Sequence, residues 1–365
     1  MKVLQVTTHV NIGGIANYIL TLSETLSAKR VRVVVASSGG NLEDEFKLRG
    51  LPHIFLNIKT KFEFGPKVIM AIFALAKIIK DEGVDIVHAH TRVSQVAAFF
   101  ACRMAKVPYV TTCHGYFKVR SRKLFDTWGA KVIAISDAVA AHLEDDLGVD
   151  RARIRTIYSG VDPDRFSNEY SEPEKAAVRK ELGLRRGPVI GTIGRLSQIK
   201  GQRYLVQAMA DVIDKRQDAQ CLIVGDGEER GALENLARAS GIRNSVFFIS
   251  SNVDTARFLS IMDIFVFPSV KEGLGIALLE AMAAGVPCIA SDIGGIRDII
   301  SAPSYGILVP VGNVKAMSDA IVKLAGDERL RQEIGQNSTV RVREKFSLDV
   351  MADKIIDLYK EVLNA

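Results

Sequence analysis

Cysteine, long apolar runs and low-complexity tracts are all scarce in this chain of 365 residues. Its cysteines, Cys102, Cys113, Cys221 and Cys288, are scattered without the paired spacing of a zinc site or a redox motif. Reduced thiols are typical of the cytosol, so we expect a cytoplasmic protein. The most apolar stretch, VIMAIFALAKII over residues 68–79, is about half the length that crosses a bilayer and predicts a buried helix.

Two ligand-binding signatures are also missing. The first loop, Asn11-Ile12-Gly13-Gly14, lacks the third spaced glycine of the dinucleotide fingerprint, which argues against a nicotinamide-dependent oxidoreductase. No Asp-x-Asp pair stands at an expected strand end, so the sequence predicts no metal site. The opening residues, MKVLQVTT, are too short for a signal-peptide core and predict a first strand instead.

Charge is unevenly shared along the chain. Residues 1–168 carry 23 Lys and Arg against 16 Asp and Glu, whereas residues 169–365 carry 25 against 26. A basic first half suits lipid headgroups or a phosphorylated acceptor, and a solvated basic surface is an equal alternative. The loop Tyr116–Trp128 mixes aromatic and basic residues and leaves the same two alternatives open. Nucleic acid is not expected, because no nucleic-acid-binding motif accompanies the charge.

Strand patterns alternate with helical patterns twice along the chain. The strands predicted in the first half are Val3–Thr8, Val31–Ser37, Ile54–Ile58, Asp85–His90, Tyr109–His114, Val132–Ser136 and Ile154–Ser159. The alternation restarts after Gly187-Pro188 with VIGTIG, CLIVG, VFFIS, DIFVF, PCIAS and GILVP. Several runs are apolar on successive residues, as in a parallel sheet covered on both faces. We therefore predict two doubly wound α/β domains facing a central cleft, connected by the charged segment Pro163–Arg186.

The most informative segment is PSVKEGLGIALLEAMAAGVPCIASDIGG, residues 268–295. It places Glu272 and Glu280 eight positions apart, across a loop that enters a helix. Between them, the backbone of Gly273-Leu274-Gly275-Ile276 can approach a phosphate, which the free N–H groups of a helix N-terminus attract. Glu272 suits sugar hydroxyls, and Glu280, about two turns into the helix, suits a ribose. The alternative is an amphipathic helix with two solvated glutamates.

Two cations follow the first strand of the second half. Arg195 and Lys200 occur in IGRLSQIKGQ, at a strand end where ligands bind in parallel sheets. An arginine fork and a lysine point charge together suit a diphosphate. Two exposed cations on an ordinary loop are the alternative.

EGLGIALLEAMAAGVPCIASDIGG resembles the donor-site signature of the retaining glycosyltransferases of family 4, of the bacterial type. The GR-L-x-x-x-K-G pattern and the N-x-G-G-x loop resemble the segments that contact the donor diphosphate in this family. The resemblance implies the GT-B fold, with the last helix crossing back to the N-terminal domain. It also implies an acceptor-binding domain, residues 1–168 plus the returning helix 348–365, and a nucleotide-sugar-binding domain, residues 169–347.

The resemblance assigns roles to individual residues. Catalysis is assigned to His114, Glu272, Arg195 and Lys200, with His114 beside the transferred sugar. Substrate contacts are assigned to Gly13, Gly14, Gly225, Gly273, Leu274, Gly275, Ile276 and Glu280, and the base is expected near Ser250–Val253. His88 and His90 end a neighbouring strand, and we interpret them as cleft-lining residues, because the third ligand of a metal site is not evident nearby.

Together these features predict a retaining hexosyltransferase. The donor would be a UDP-sugar or GDP-sugar, and the acceptor a hydroxyl of a cell-envelope lipid or polysaccharide precursor. No metal or other cofactor is expected, because Arg195 and Lys200 can neutralise the leaving diphosphate. A nucleotide-sugar epimerase of the GT-B fold and a non-catalytic sugar-nucleotide-binding protein are the alternatives. The expected location is the cytoplasm, with peripheral attachment to the inner face of the cell membrane left open.

Overall fold

The computed structural model of the chain describes residues 1–117, 126–167, 170–250 and 254–365. The described residues divide into two compact units. Unit 1 comprises Met1–Gly160 and Leu348–Ala365, and unit 2 comprises Val161–Ser347. Each unit contains a parallel β-sheet with helices packed against it.

The strands of unit 1 are β1 (Lys2–Val6), β2 (Arg32–Ser37), β3 (His53–Phe55), β4 (Ile86–Ala89), β5 (Tyr109–Cys113), β6 (Lys131–Ala134) and β7 (Ile154–Thr156). Its helices are α1 (Gly14–Ala28), α2 (Glu43–Leu48), α3 (Pro66–Asp81), α4 (Arg92–Ala105), α5 (Asp137–Ala141) and, at the chain end, α15 (Leu348–Leu363). The strand order is β3-β2-β1-β4-β5-β6-β7, and all these pairings are parallel. The order reverses beside β1, as in a doubly wound sheet, so the predicted layout of this half is confirmed.

The strands of unit 2 are β8 (Val189–Ile193), β9 (Gln220–Val224), β10 (Val246–Ile249), β11 (Ile264–Phe267), β12 (Cys288–Ser291) and β13 (Ile307–Val309). Its helices are α6 (Pro163–Ser167), α7 (Glu172–Glu181), α8 (Gln202–Lys215), α9 (Arg230–Ala239), α10 (Thr255–Leu259), α11 (Ile276–Ala283), α12 (Gly294–Ile299), α13 (Val314–Gly326) and α14 (Glu328–Lys345). The strand order is β10-β9-β8-β11-β12-β13, again with parallel pairing. Both predicted sheets are thus confirmed.

The returning helix α15 packs in unit 1, as predicted. Its buried face carries Ile355, Leu358 and Tyr359, which share a core cluster with Leu22 and Leu26 of α1. The residues spaced three and four apart along α15 form one apolar stripe, and α1 supplies the complementary surface. The final helix is therefore part of the core that supports the sheet of unit 1.

The segment Pro163–Arg186, expected as a connection, is instead structured as part of unit 2. It contains α6 and α7, and Ser171 and Glu174 form a capping box at the start of α7. The division between the units falls at Gly160 rather than at residue 168, because Val161 forms a β-bridge with Ser347. The charged residues and two prolines of this segment thus belong to two helices of unit 2 and not to an unstructured linker.

The stretch 68–79 is helical, but the prediction of a buried helix is wrong for one of its faces. Ala71, Leu75 and Ile79 of α3 are buried against the core. Met70 is 72% exposed and Phe73 is 61% exposed. Because apolar residues occur on all sides of this helix, the sequence pattern does not indicate which face packs on the sheet. Among the helices of the described ranges, we find none that is long and apolar enough to span a membrane.

Candidate functional site

The loop from β11 into α11 forms an open helix N-terminus in unit 2. Gly275 is the residue before the first turn of α11, with φ of 110°, a conformation that side-chain-bearing residues rarely adopt. A Cβ at this position would lie 2.9 Å from Ile296 Cδ1, so the site also lacks room for a side chain. Because glycine cannot cap the helix with a side-chain oxygen, the first N–H groups remain available to a ligand.

Glu272 and Lys200 form an ion pair at this loop. Lys200 Nζ lies 2.5 Å from Glu272 Oε2, and the side chains are 26% and 19% exposed, respectively. Lys200 Nζ also lies 5.5 Å from the centre of the Phe267 ring, and the Ser269 hydroxyl donates to Glu272 over 3.5 Å. The alternative of a fully solvated Glu272 is therefore wrong. The structure brings together a cation and a carboxylate that are 72 positions apart in the sequence.

Glu280 lies in α11 and is partly buried. Burial raises the pKa of its carboxyl group to about 7, an effect that Arg165 opposes and Asp254 reinforces. The Arg165 guanidinium lies 3.1 Å from Asp254, and the Tyr170 hydroxyl donates to the same carboxylate over 3.5 Å. Sequence reasoning missed Arg165 and Asp254 as neighbours of Glu280, and Tyr170 as a partner of Asp254, because Arg165 and Tyr170 were assigned to a connecting segment.

Arg195 is held at the surface rather than within the Lys200–Glu272 pair. Its guanidinium lies 3.6 Å from the Glu228 carboxylate, and the two side chains are 73% and 65% exposed. Such exposed pairs contribute little free energy. The guanidinium can therefore exchange Glu228 for a phosphate at small cost, while the Gln202 side chain anchors its backbone carbonyl over 3.0 Å.

Gly225 is required by the packing of two loops in unit 2. It has φ of 154°, and a Cβ there would lie 2.0 Å from the carbonyl oxygen of Gly194, which follows β8. Gly225 was predicted to contact the donor through its backbone. The close approach of the two loops is an alternative reason for a glycine at this position. Nearby, the Ser250 hydroxyl donates to Asp226 over 2.7 Å, whereas the rest of the expected base site, residues 251–253, lies outside the described residues.

Gly13 and Gly14 differ from Gly225, because unit 1 itself does not require them to be glycines. They stand at the start of α1, and a Cβ at Gly13 would meet only Asn11 O, at 3.8 Å, within 4 Å. A Cβ at Gly14 would meet no heavy atom within that distance. Their backbone is open to an approaching ligand, and the N-terminal N–H groups of α1 lack a side-chain cap.

Three of the six histidines of the chain, His88, His90 and His114, lie close together at the carboxyl ends of β4 and β5. His90 Nδ1 is 3.2 Å from His114 Nε2, and His88 packs on His90 with ring centres 4.1 Å apart. Burial lowers the pKa of His114 and of His88 to about 3, and lowers that of His90 well below its usual value. All three rings are therefore neutral near pH 7.

Two further expectations concern the loop 116–128 of unit 1 and the absence of a metal site. Of the loop 116–128, residues 118–125 lie outside the described residues. The remaining part includes Phe117, whose backbone N–H donates to His142 Nε2 over 3.0 Å. In the portion of the chain that the structure describes, no group of three or more His, Cys, Asp or Glu side chains could hold a metal ion.

Comparison with known proteins agrees with this architecture. The family model for glycosyltransferase family 4 matches residues 12–165, and that for glycosyl transferases group 1 matches residues 174–341. A phosphatidyl-myo-inositol mannosyltransferase of Mycobacterium leprae is 28% identical, over 96% of this chain and 93% of its own. The UDP-Gal:α-D-GlcNAc-diphosphoundecaprenol α-1,3-galactosyltransferase of Escherichia coli is 29% identical, over 81% and 80%. A glycosyltransferase structure from Rickettsia africae superposes with a TM-score of 0.90 at 24% identity, covering 99% of this chain and 98% of its own.

Two parallel doubly wound sheets, shared with the Rickettsia africae structure at a TM-score of 0.90, give the chain the GT-B fold. The two family models together match most of the chain, which therefore belongs to glycosyltransferase family 4.

Proposed function

We propose that this protein transfers a hexose from a UDP-sugar or GDP-sugar to a hydroxyl of a cell-envelope lipid or saccharide precursor. Transfer would retain the anomeric configuration and need no metal ion. The observation that carries the proposal is the Lys200–Glu272 pair, 2.5 Å apart, at the loop that opens α11. A cation, a carboxylate and free N–H groups together match the phosphates and hydroxyls of a nucleotide sugar. The relatives from E. coli and M. leprae are named for lipid-linked or lipid substrates, which supports an envelope acceptor.

Each group has a proposed role in unit 2. Lys200 and Arg195 neutralise the diphosphate, Glu272 accepts hydrogen bonds from the transferred sugar, and Glu280 accepts them from the ribose. The N–H groups of Gly273, Leu274, Gly275 and Ile276 bind phosphate oxygens, and Gly225 contributes a backbone contact. In unit 1, the resemblance assigns Gly13 and Gly14 to the phosphates and His114 to the sugar.

The proposed reaction is a front-face substitution. The bond from sugar C1 to the diphosphate oxygen breaks, while the acceptor oxygen forms a bond to C1 on the same face. The acceptor proton passes to the departing phosphate oxygen, so no protein nucleophile takes part. The protein then accelerates the reaction by orienting the reactants and stabilising the negative charge that develops on the diphosphate.

Sugar transfer is expected to persist in excess EDTA. The positive charges at the diphosphate would come from Lys200 and Arg195, so removal of divalent ions should leave the rate within about twofold, given that electrostatic stabilisation would come from the protein. The assay incubates UDP- and GDP-hexoses with undecaprenyl-diphosphate-linked or phosphatidylinositol acceptors and follows donor consumption. Proton NMR of the product gives its anomeric configuration.

Three results would contradict parts of the proposal. Loss of activity on chelation, restored by magnesium or manganese, would show that a metal ion assists the diphosphate. An inverted product would exclude front-face substitution. Donor conversion to an isomeric nucleotide sugar without acceptor would establish the epimerase alternative.

We also propose that unit 1 docks on the inner face of the cell membrane through the outer face of α3. Phe62, Met70 and Phe73 are 76%, 72% and 61% exposed, an unusual set of large apolar side chains for a solvated surface. Exposed lysines flank them in the sequence at Lys59, Lys61 and Lys80, while Lys77 is paired with Asp81 at 2.5 Å. The intervening acid, Glu63, is neutralised by Arg92, whose guanidinium lies 3.2 Å away. Apolar side chains with flanking cations suit a bilayer that contains anionic lipid.

Replacing Met70 and Phe73 together with serine is expected to reduce vesicle binding by roughly tenfold, because their apolar area would no longer enter the bilayer. Sedimentation compares vesicles of phosphatidylcholine alone with vesicles that also contain phosphatidylglycerol. Wild-type binding should require the anionic lipid and decline as salt rises. The control replaces Leu48 and Val340, which are 81% and 54% exposed, with serine and should bind normally. Equal binding by both variants would show that α3 does not dock on membranes.

A further inference from the structure

A chain of buried polar side chains links the returning helix α15 to His114 within unit 1. The members of this chain are Gln5, His88, His90, Thr112, Tyr359 and His114. His114 is partly exposed, and each of the others is at most 4% exposed. Buried polar groups cost free energy unless they are hydrogen-bonded. The contacts, together with what each group can donate or accept, decide the direction of each hydrogen bond.

The first arm of the chain starts at the Tyr359 hydroxyl. Gln5 Nε2 donates to this hydroxyl over 3.4 Å, and the hydroxyl oxygen lies 2.7 Å from His88 Nδ1. If His88 Nδ1 were the donor, the single phenolic hydrogen would have no acceptor among the described residues, so the hydroxyl donates to His88 Nδ1. Neutral His88 then carries its own hydrogen on Nε2 and donates it to the Thr112 hydroxyl, 2.6 Å away.

The second arm starts at the other end of the same Gln5 amide. Gln5 Oε1 can only accept, so His90 Nε2, 2.5 Å away, carries a hydrogen. A neutral His90 then has a lone pair on Nδ1, which lies 3.2 Å from His114 Nε2. His114 Nε2 is therefore the donor in that contact. His114 Nδ1 has no partner among the described residues and holds the remaining lone pair.

We propose that Tyr359, Gln5 and His90 hold His114 in its Nε2–H tautomer, so that Nδ1 accepts a hydrogen bond from the transferred sugar. The His114 and Tyr18 rings pack in a T-shaped pair, with centres 4.7 Å apart, and this contact restrains the His114 ring plane. An accepting nitrogen selects a donor group on the sugar, such as a hydroxyl or an acetamido N–H. It disfavours a carboxylate there, because two acceptors would face each other. The sugar contact rests on the proposed function, whereas the tautomer does not.

The Gln5 amide determines the direction of the whole chain. If its oxygen and nitrogen exchanged places, each hydrogen bond of the second arm would reverse, and His114 Nδ1 would become a donor. Tyr359 opposes this exchange only while its hydroxyl donates to His88 and accepts from Gln5. We therefore interpret Tyr359 as a positioning residue that acts on His114 through two side chains, and not as a catalytic residue.

The test is NMR of the intact protein labelled with ¹⁵N-histidine, without substrate. We expect His114, assigned by the loss of its signals in a His114→Gln variant, to be protonated on Nε2 alone. The Tyr359→Phe variant should show a mixture of both His114 tautomers, whereas Tyr109→Phe, another buried tyrosine of unit 1, should retain the wild-type pattern. Nδ1 protonation in the wild-type protein would overturn the proposal, even if Tyr359→Phe failed to fold. A single Nε2–H tautomer in folded Tyr359→Phe would overturn the role of Tyr359.

The sugar contact is tested by adding UDP-glucose, GDP-mannose and UDP-glucuronate separately to the labelled protein. A hexose donor that binds should shift the His114 Nδ1 resonance in the direction of an accepted hydrogen bond, and the glucuronate should bind at least tenfold more weakly. Binding of a hexose donor without a shift of Nδ1 would overturn the contact. Failure of all donors to bind would contradict the proposed function and leave the tautomer result standing.

Discussion

Replacing Glu272 with alanine is expected to lower sugar transfer by about a hundredfold or more, which corresponds to on the order of 3 kcal/mol of lost transition-state stabilisation. The Glu272 carboxylate lies 2.5 Å from the Lys200 ammonium, so its loss removes a sugar contact and also frees the lysine from its position. The fold should persist, because the two side chains are only partly buried. The measurement is kcat and KM for the donor, together with the thermal unfolding midpoint.

Glu181→Ala provides the matched control for Glu272→Ala. Glu181 also pairs with a cation in unit 2, Arg257, but its side chain is 58% exposed and it lies in α7, away from the loop that opens α11. We expect wild-type kinetics from this variant. If Glu272→Ala also transferred sugar at the wild-type rate, the donor site would have to lie elsewhere.

Replacing Lys200 with methionine is expected to reduce kcat by about a hundredfold or more, since a cation at the leaving diphosphate stabilises the transition state more than the ground state. Methionine retains most of the apolar stem of lysine, so the change isolates the charge, which lies 5.5 Å from the centre of the Phe267 ring. The assay is the same, and donor affinity measured by calorimetry separates binding from turnover.

Lys215→Met is the control, because Lys215 pairs with Asp319 at 3.5 Å on an exposed part of the same unit. The double variant of Lys200 and Glu272 adds a second test. Since the two residues are in contact, their effects should combine to less than the product of the single losses. Fully multiplicative losses would show that each residue acts on the donor independently.

The fold was predictable because its signals are local. Strands such as VVVA in β2 and LIV in β9 are apolar on consecutive residues, which is typical of sheets covered on both faces. Serine also favours the N-cap position, and Ser136 accepts from the Val139 N–H at the start of α5. Boundaries were less accurate: β3 ends at Phe55, although the apolar pattern continues to Ile58.

The candidate site was predictable only in part. The spacing of Glu272 and Glu280 and the pattern around Arg195 and Lys200 selected the candidate residues, and their roles stay predictions. Their pairing was not predictable, because the contact between Lys200 and Glu272 joins loops after two different strands. Periodicity likewise did not show that Phe73 faces outward, since apolar residues occur on all sides of α3.

The sequence by itself determined the two parallel sheets and the residue types of the candidate site, because strand patterns and motifs depend on neighbouring residues, and the family resemblance implied the returning helix. Only the tertiary structure decided that Glu272 pairs with Lys200, and that Tyr359, near the end of the chain, reaches His88 and Gln5. Burial decided the charge states too, by raising the pKa of Glu280 to about 7 and keeping the clustered histidines neutral. Desolvation and hydrogen-bond direction depend on groups that are distant in sequence, so they arise only when the chain has folded.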